Sequence, residues 1–128
     1  MMTQEQLDNW FTYHAPTDET APKYAAIRTA EEACRFGLTM GIGLVDEPLH
    51  VRFGHINDAC RTFALVIDEQ APDSADKTAA IRCVRLARNA ANEAVIDPAG
   101  AGRLQAMALT EIQKARWQAN SAIACGGR

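Results

Sequence analysis

Arg82, Arg85 and Arg88 recur at every third position, and from Lys77 to Asn92 the chain carries four basic residues and no acid. On a helix, steps of three drift slowly round the axis, so these guanidiniums form a slanted ridge that Asn89 and Asn92 extend with neutral amides. A guanidinium donates in a planar fork that matches the oxygens of a phosphate. In a chain of formal net charge −3 such a ridge points to an anion site. The plainer alternative is a solvated face whose arginines pair weakly with acids such as Asp68 or Glu69.

A second group lies in "FTYHAPTDETAPKYAAIR", residues 11–28. Tyr13 and His14 precede Pro16, and Lys23, Tyr24 and Arg28 follow within one to two helical turns of the loop. Aromatic faces stack on nucleobases, while arginine meets oxygens and phosphates. For Trp10, Phe11 and Tyr24 packing is the stronger reading: Phe11 and Tyr24 form a hydrophobic staple that pins the N-terminal arm to the rest. Tyr13, beside His14 and Pro16, is the better candidate for a ligand contact.

Other chemistries find less support. His50 and His55 are five residues apart and do not share a helical face, so no metal site is expected. The widely spaced Cys34, Cys60, Cys83 and Cys125 form no C-x-x-C pair. Three of them fall in apolar helical patterns and read as small, reduced core residues; Cys125 falls in a frayed tail. A cysteine–histidine nucleophile stays open. There is no glycine-bounded nucleophile, paired-carboxylate motif or phosphate-binding glycine loop, so an enzyme is the weaker class and no cofactor is expected.

The elements that must position these side chains are helices. Few aromatics and abundant alanine favour helix over sheet in this chain of 128 residues. A short helix over 3–11 has Thr3 as its cap. A second starts near Thr17 or Thr20 with Pro22 in its first turn, is weakened by Gly37, Gly41 and Gly43, and ends at "VDEP". A third spans about 49–69, with Phe53, Ile56, Ala59, Cys60, Phe63, Ala64 and Ile67 on one face. Pro72 stops it and Ser74 caps a fourth that runs to about 96. "DPAGAG" turns the chain into a last helix over about 103–124, and "CGGR" is a flexible end. Two stretches align without gaps: Ala80, Val84, Ala87, Ala91 and Ala94 match Ala108, Ile112, Ala115, Ala119 and Ala122. These heptad-like seams of small residues allow close helix approach. The fold class is therefore all-α, one antiparallel bundle of four to five helices with a short N-terminal helix. The balance of charge disfavours long nucleic acid, and no signal or membrane span is visible, so a soluble intracellular protein is expected.

"FTYHAPTDETAPKYAAIR", "APDSADKTAAIR" and the W-x-A-N-x-x-I-A pattern at 117–124 together resemble the phage hairpin-domain family of anti-CBASS and anti-Thoeris sponges. Those small helical oligomers bind cyclic nucleotide second messengers of bacterial immunity and sequester them uncleaved. The resemblance covers about two thirds of the chain. It implies that Tyr13 lies against a base of a cyclic dinucleotide and that Arg28 contacts the ligand's polar groups. It also implies that Arg82 corresponds to a position some members use for a separate cyclic trinucleotide pocket. A homo-oligomer in the cytoplasm of the bacterial host follows from the same likeness. Against typical members, residues 36–52 read as an insertion in a family-like region over 1–96, and 97–128 as an added arm. The rival reading is a helical phage protein whose basic ridge meets a host protein.

Overall fold

The computed structural model describes residues 1–126, which form five α-helices and no strand. Gly127 and Arg128, the last two residues of the expected flexible end, lie outside the described residues. α1 (Gln4–Phe11) begins with a capping box: the Gln6 N–H donates to Thr3 Oγ1 at 3.1 Å and the Thr3 N–H donates to Gln6 Oε1 at 2.9 Å. α1 buries none of its residues. The expected staple is not formed, because Phe11 is 82% exposed; only Tyr24 packs against the core. Trp10 is 63% exposed as well, so neither aromatic at the end of α1 anchors the arm in the core.

Two threonines fix the approach to α2 (Ala21–Gly43). The Thr17 N–H donates to Thr20 Oγ1 at 2.8 Å, and the Thr20 N–H donates to Thr17 Oγ1 at 3.1 Å. Pro22 then falls in the first turn, where its missing N–H costs nothing. α2 and α3 (Leu49–Gln70) form a hairpin whose tip is residues 44–48. The stretch read as inserted, 36–52, is the tip of this hairpin with the last eight residues of α2 and the first four of α3.

Gly37 and Gly41 do not interrupt α2; they let α3 approach it. A Cβ on Gly37 would lie 2.6 Å from Ala59 Cβ, and one on Gly41 would lie 2.6 Å from Ile56 Cγ1 and 2.8 Å from the Arg52 carbonyl oxygen. Arg52, nearly buried, closes the helix end from across the hairpin. Its Nε donates to the Gly41 carbonyl at 3.1 Å and its Nη2 to the Ile42 carbonyl at 2.6 Å. Carbonyls that α2 cannot satisfy internally are thus met by a charged donor.

α4 (Ala75–Ile96) starts at Ser74, whose Oγ accepts from the Lys77 N–H at 3.1 Å. Lys77 Nζ reaches back to Asp68 at 3.0 Å and Asp73 at 2.9 Å, joining the end of α3 to the start of α4. After a 3₁₀ turn at Pro98–Gly100 comes α5 (Ala101–Cys125), closed by Gly126 at φ 62°, the left-handed cap that glycine adopts without strain. Cys125 is not in a frayed tail: it is buried in the last turn of α5.

α2, α3, α4 and α5 pack in sequence, and α5 returns to α2, closing a four-helix bundle. The two aligned seams meet in the most extensive of these contacts, and all ten of their residues are buried. Bulk comes mainly from the other pair, through Ile27, Leu38, Ile56, Phe63 and Ile67. A polar link crosses from α2 to α5, where Arg116 Nη1 meets the buried Glu31 Oε1 at 3.1 Å.

Gly41→Ala is expected to lower unfolding stability by about 1–3 kcal/mol through overpacking. Gly54→Ala on α3, where a Cβ would meet nothing within 4 Å, is expected to raise it by roughly 0.5–1 kcal/mol. Urea unfolding of the two variants checks both signs.

Candidate functional site

On α3, Asn57, Cys60, Arg61 and Ala64 follow i, i+3, i+4, i+7 spacing, and on α4 Ile81, Val84, Arg85 and Arg88 do the same. Each set is one helical face, and the two faces line a groove of about 420 Å³ between α3 and α4. Cys60, Ala64, Ile81 and Val84 supply an apolar floor; Arg61, Arg85, Arg88 and Asn57 supply polar groups.

None of these three arginines has a carboxylate within ion-pairing distance among the described residues. The acids that could have neutralised the ridge are otherwise placed: Asp68 is held by Lys77, and Glu69 is exposed and forms no ion pair. Arg88 Nη2 donates only sideways, to Asn89 Oδ1 at 3.1 Å. Asn92 bridges the helices by donating from Nδ2 to Asn57 Oδ1 at 3.4 Å, and its own Oδ1 is buried without a donor. The positive field reaches the floor. The Cys60 thiol lies below its ordinary range because a hydrogen bond from Cys34 favours the thiolate, and the nearby Arg88 charge adds to this against the cost of burial.

The three-residue ridge is therefore divided. Arg85 and Arg88 face the groove, while Arg82 sits about 100° round α4 from Ile81 and is exposed outside the lining. Arg61 takes the third place. Nothing in its local sequence marks it, because its role depends on which flank of α3 faces α4.

A second cleft, of about 410 Å³, opens where the N-terminal arm crosses the end of the bundle. Trp10 and Asn9 from α1, Tyr13 and His14 from the loop, Tyr24 from α2, and Trp117, Asn120 and Ser121 from α5 line it. His14 Nε2 lies 3.3 Å from the Asn9 carbonyl, folding the loop back onto α1. Tyr13 is 84% exposed, so its ring has a free face. Burial holds the Tyr24 phenol above its ordinary range, with smaller contributions from Cys125 and Tyr13. The Asn120 Oδ1 is buried without a donor. Within the pattern at 117–124, Trp117 and Asn120 face this cleft, while Ala119, Ala122 and Ile123 belong to the core.

The structure thus brings Tyr13 and His14 together in one place and Arg85 and Arg88 in another. Lys23, half-buried, and Arg28, exposed, project from α2 outside the lining of both. No cluster of three or more histidine, cysteine or acidic side chains able to hold a metal occurs among the described residues. No helix among them is long and apolar enough to cross a membrane. Comparison with family models, with curated proteins and with solved structures gave no match to this chain.

The two kinds of arginine separate by stability. Arg85→Ala and Arg88→Ala should leave unfolding stability within about 0.5 kcal/mol of the parent. Arg116→Ala, which strands the buried Glu31 carboxylate, should cost about 1–3 kcal/mol. Chemical denaturation of the three variants measures the contrast.

Proposed function

We propose that this protein binds and sequesters a cyclic nucleotide second messenger without cleaving it. The ligand is a cyclic di- or trinucleotide or a cyclic ADP-ribose isomer, the class held by the family its motifs resemble. One observation carries the reading: three guanidiniums without carboxylate partners surround an apolar-floored groove in a protein of net negative charge. A cyclic phosphodiester presents anionic oxygens on its ring and flat apolar surfaces on its bases. Arg61, Arg85 and Arg88 suit the first, and the floor of Ala64, Ile81 and Val84 suits the second.

Tyr13 offers a stacking face at the other end of the bundle. Its proposed partners Lys23 and Arg28 would reach it from a second copy in a homo-oligomer, which makes the aromatic cleft an interfacial site. Arg82, outside the groove, remains available to the same anionic ligand class from a neighbouring subunit. The cytoplasm of a phage-infected bacterium is the setting this function requires.

A second reading has its own support. Trp10, Phe11 and Trp117 are exposed at 63%, 82% and 53%, an aromatic grouping suited to a host protein partner.

Calorimetry against cyclic dinucleotides, cyclic trinucleotides and cyclic ADP-ribose isomers decides between them. Heat of binding with one of these, and recovery of that ligand chemically intact after denaturing the complex, is expected. Arg85→Ala and Arg88→Ala should each weaken phosphate-dependent binding by roughly tenfold or more. Tyr13→Ala should cost about 1–3 kcal/mol for a ligand base stacked on that ring. Silence across the whole panel would transfer the case to the protein-partner reading, and a cleaved ligand would contradict sequestration.

A further inference from the structure

Both tryptophans of the chain, Trp10 on α1 and Trp117 on α5, line the second cleft together with Tyr13 and Tyr24. Trp10 also borders two smaller hollows, one of about 280 Å³ beside Glu5 and one of about 290 Å³ beside Phe11 and Asp76. Neither Glu5 nor Asp76 forms an ion pair among the described residues. The N-terminal arm is also where the chain keeps its net charge. Residues 1–22 hold Glu5, Asp8, Asp18 and Glu19 and no lysine or arginine, while the rest of the chain sets all thirteen basic residues against the remaining twelve acids.

We propose that, on the protein-partner reading, this aromatic and acidic end of the bundle docks an arginine-bearing segment of the partner. A cation is drawn to the electron-rich faces of tryptophan and tyrosine. A guanidinium suits them best, because it is planar, stacks on a ring and still donates its N–H groups at the edge. Acceptors for those groups stand around the rings. They are the carboxylates of Glu5 and Asp76, beside Trp10, and Asn120 Oδ1, which belongs to the cleft lining and is buried without a donor. The four acids of the arm add a negative field that draws in a basic segment over about 10 Å at moderate salt.

The fold leaves these rings for an occupant to cover. α1 buries none of its residues, and Trp10, Phe11, Tyr13 and Trp117 are all more than half exposed. A helix of eight residues is marginal by itself in water, so an arginine held between Trp10 and Trp117 would also clamp α1 to α5.

The test is tryptophan fluorescence of the full chain during titration with a blocked pentapeptide of alternating glycine and arginine. Trp10 and Trp117 are the chain's two tryptophans and neither lines the arginine groove, so the signal reports this end of the bundle. A saturable change is expected. A twin peptide carrying citrulline, which keeps the planar shape and lacks the charge, should bind about fivefold more weakly or worse. Glu5→Gln and Asp76→Asn should each weaken the arginine peptide by about two- to fivefold, and Tyr13→Leu by a similar factor. Glu5 and Tyr13 are exposed, so those two variants keep the fold even if Asp76→Asn loosens the start of α4. The proposal is overturned by a titration that does not saturate, or by equal binding of the citrulline twin. It is also overturned if dilution alone changes the fluorescence and the peptide does not, which would show a second copy of the chain covering the rings. Nucleotide calorimetry is a separate readout, so the sequestration reading and this one can fail independently.

Discussion

Close approach between helices is the constraint on which the rest of this molecule depends. It is reached twice, by different residues. α4 and α5 meet along seams made mostly of alanine, and α2 and α3 meet where Gly37 and Gly41 face Ala59 and Ile56. Small side chains bring backbones together and gain many short-range contacts, at the expense of apolar bulk. The bulk is restored by Phe63 and the isoleucines and Leu38 between the pairs. The contact between α3 and α4 is less extensive than the contact within either pair, and it is there that the arginine groove opens. A looser joint between two tight hairpins is a natural place for a binding surface, since widening it disturbs neither seam.

The distribution of charge follows the same division between structure and surface. Arg52 is spent on the carbonyls at the end of α2, Arg116 on Glu31, and Lys77 on the two aspartates beside the α3–α4 turn. Each of these cations has partners within hydrogen-bonding distance and holds two segments together. Arg61, Arg85 and Arg88 do not have a carboxylate, although acids outnumber bases in the chain by sixteen to thirteen. Like charges held near one another without counter-charge raise the local potential, and burial of the floor beneath them reduces screening. The groove therefore concentrates positive potential on a protein whose overall sign would repel an anion.

Much of the fold was legible in the residues, because apolar spacing and end signals agree at each helix. Thr3, Pro22, Ser74 and the turn after Ile96 stand where capping chemistry puts them, and the matched alanine seams are buried together. What misled was information that only packing supplies. Gly37 and Gly41 carry a propensity cost that is visible in sequence, and a close contact that is not. Phe11 looked like an anchor because aromatics usually bury, yet α1 buries none of its residues and leaves this ring in solvent. The arginine ridge was visible as a pattern, but three-residue steps carry Arg82 away from Arg85 and Arg88. Arg61 and Arg52 gained their roles from the rotation of α3 against its neighbours, which no local motif encodes.

The central claim is that the three unpaired guanidiniums grip a cyclic phosphodiester. It is tested most directly by nuclear magnetic resonance of the arginine Nε–H groups during titration with a cyclic dinucleotide or trinucleotide that binds. The signals of Arg61, Arg85 and Arg88 are expected to shift together and saturate with the binding curve, while those of Arg52 and Arg116 stay in place. Saturable binding that leaves all three groove arginines unmoved would contradict the account.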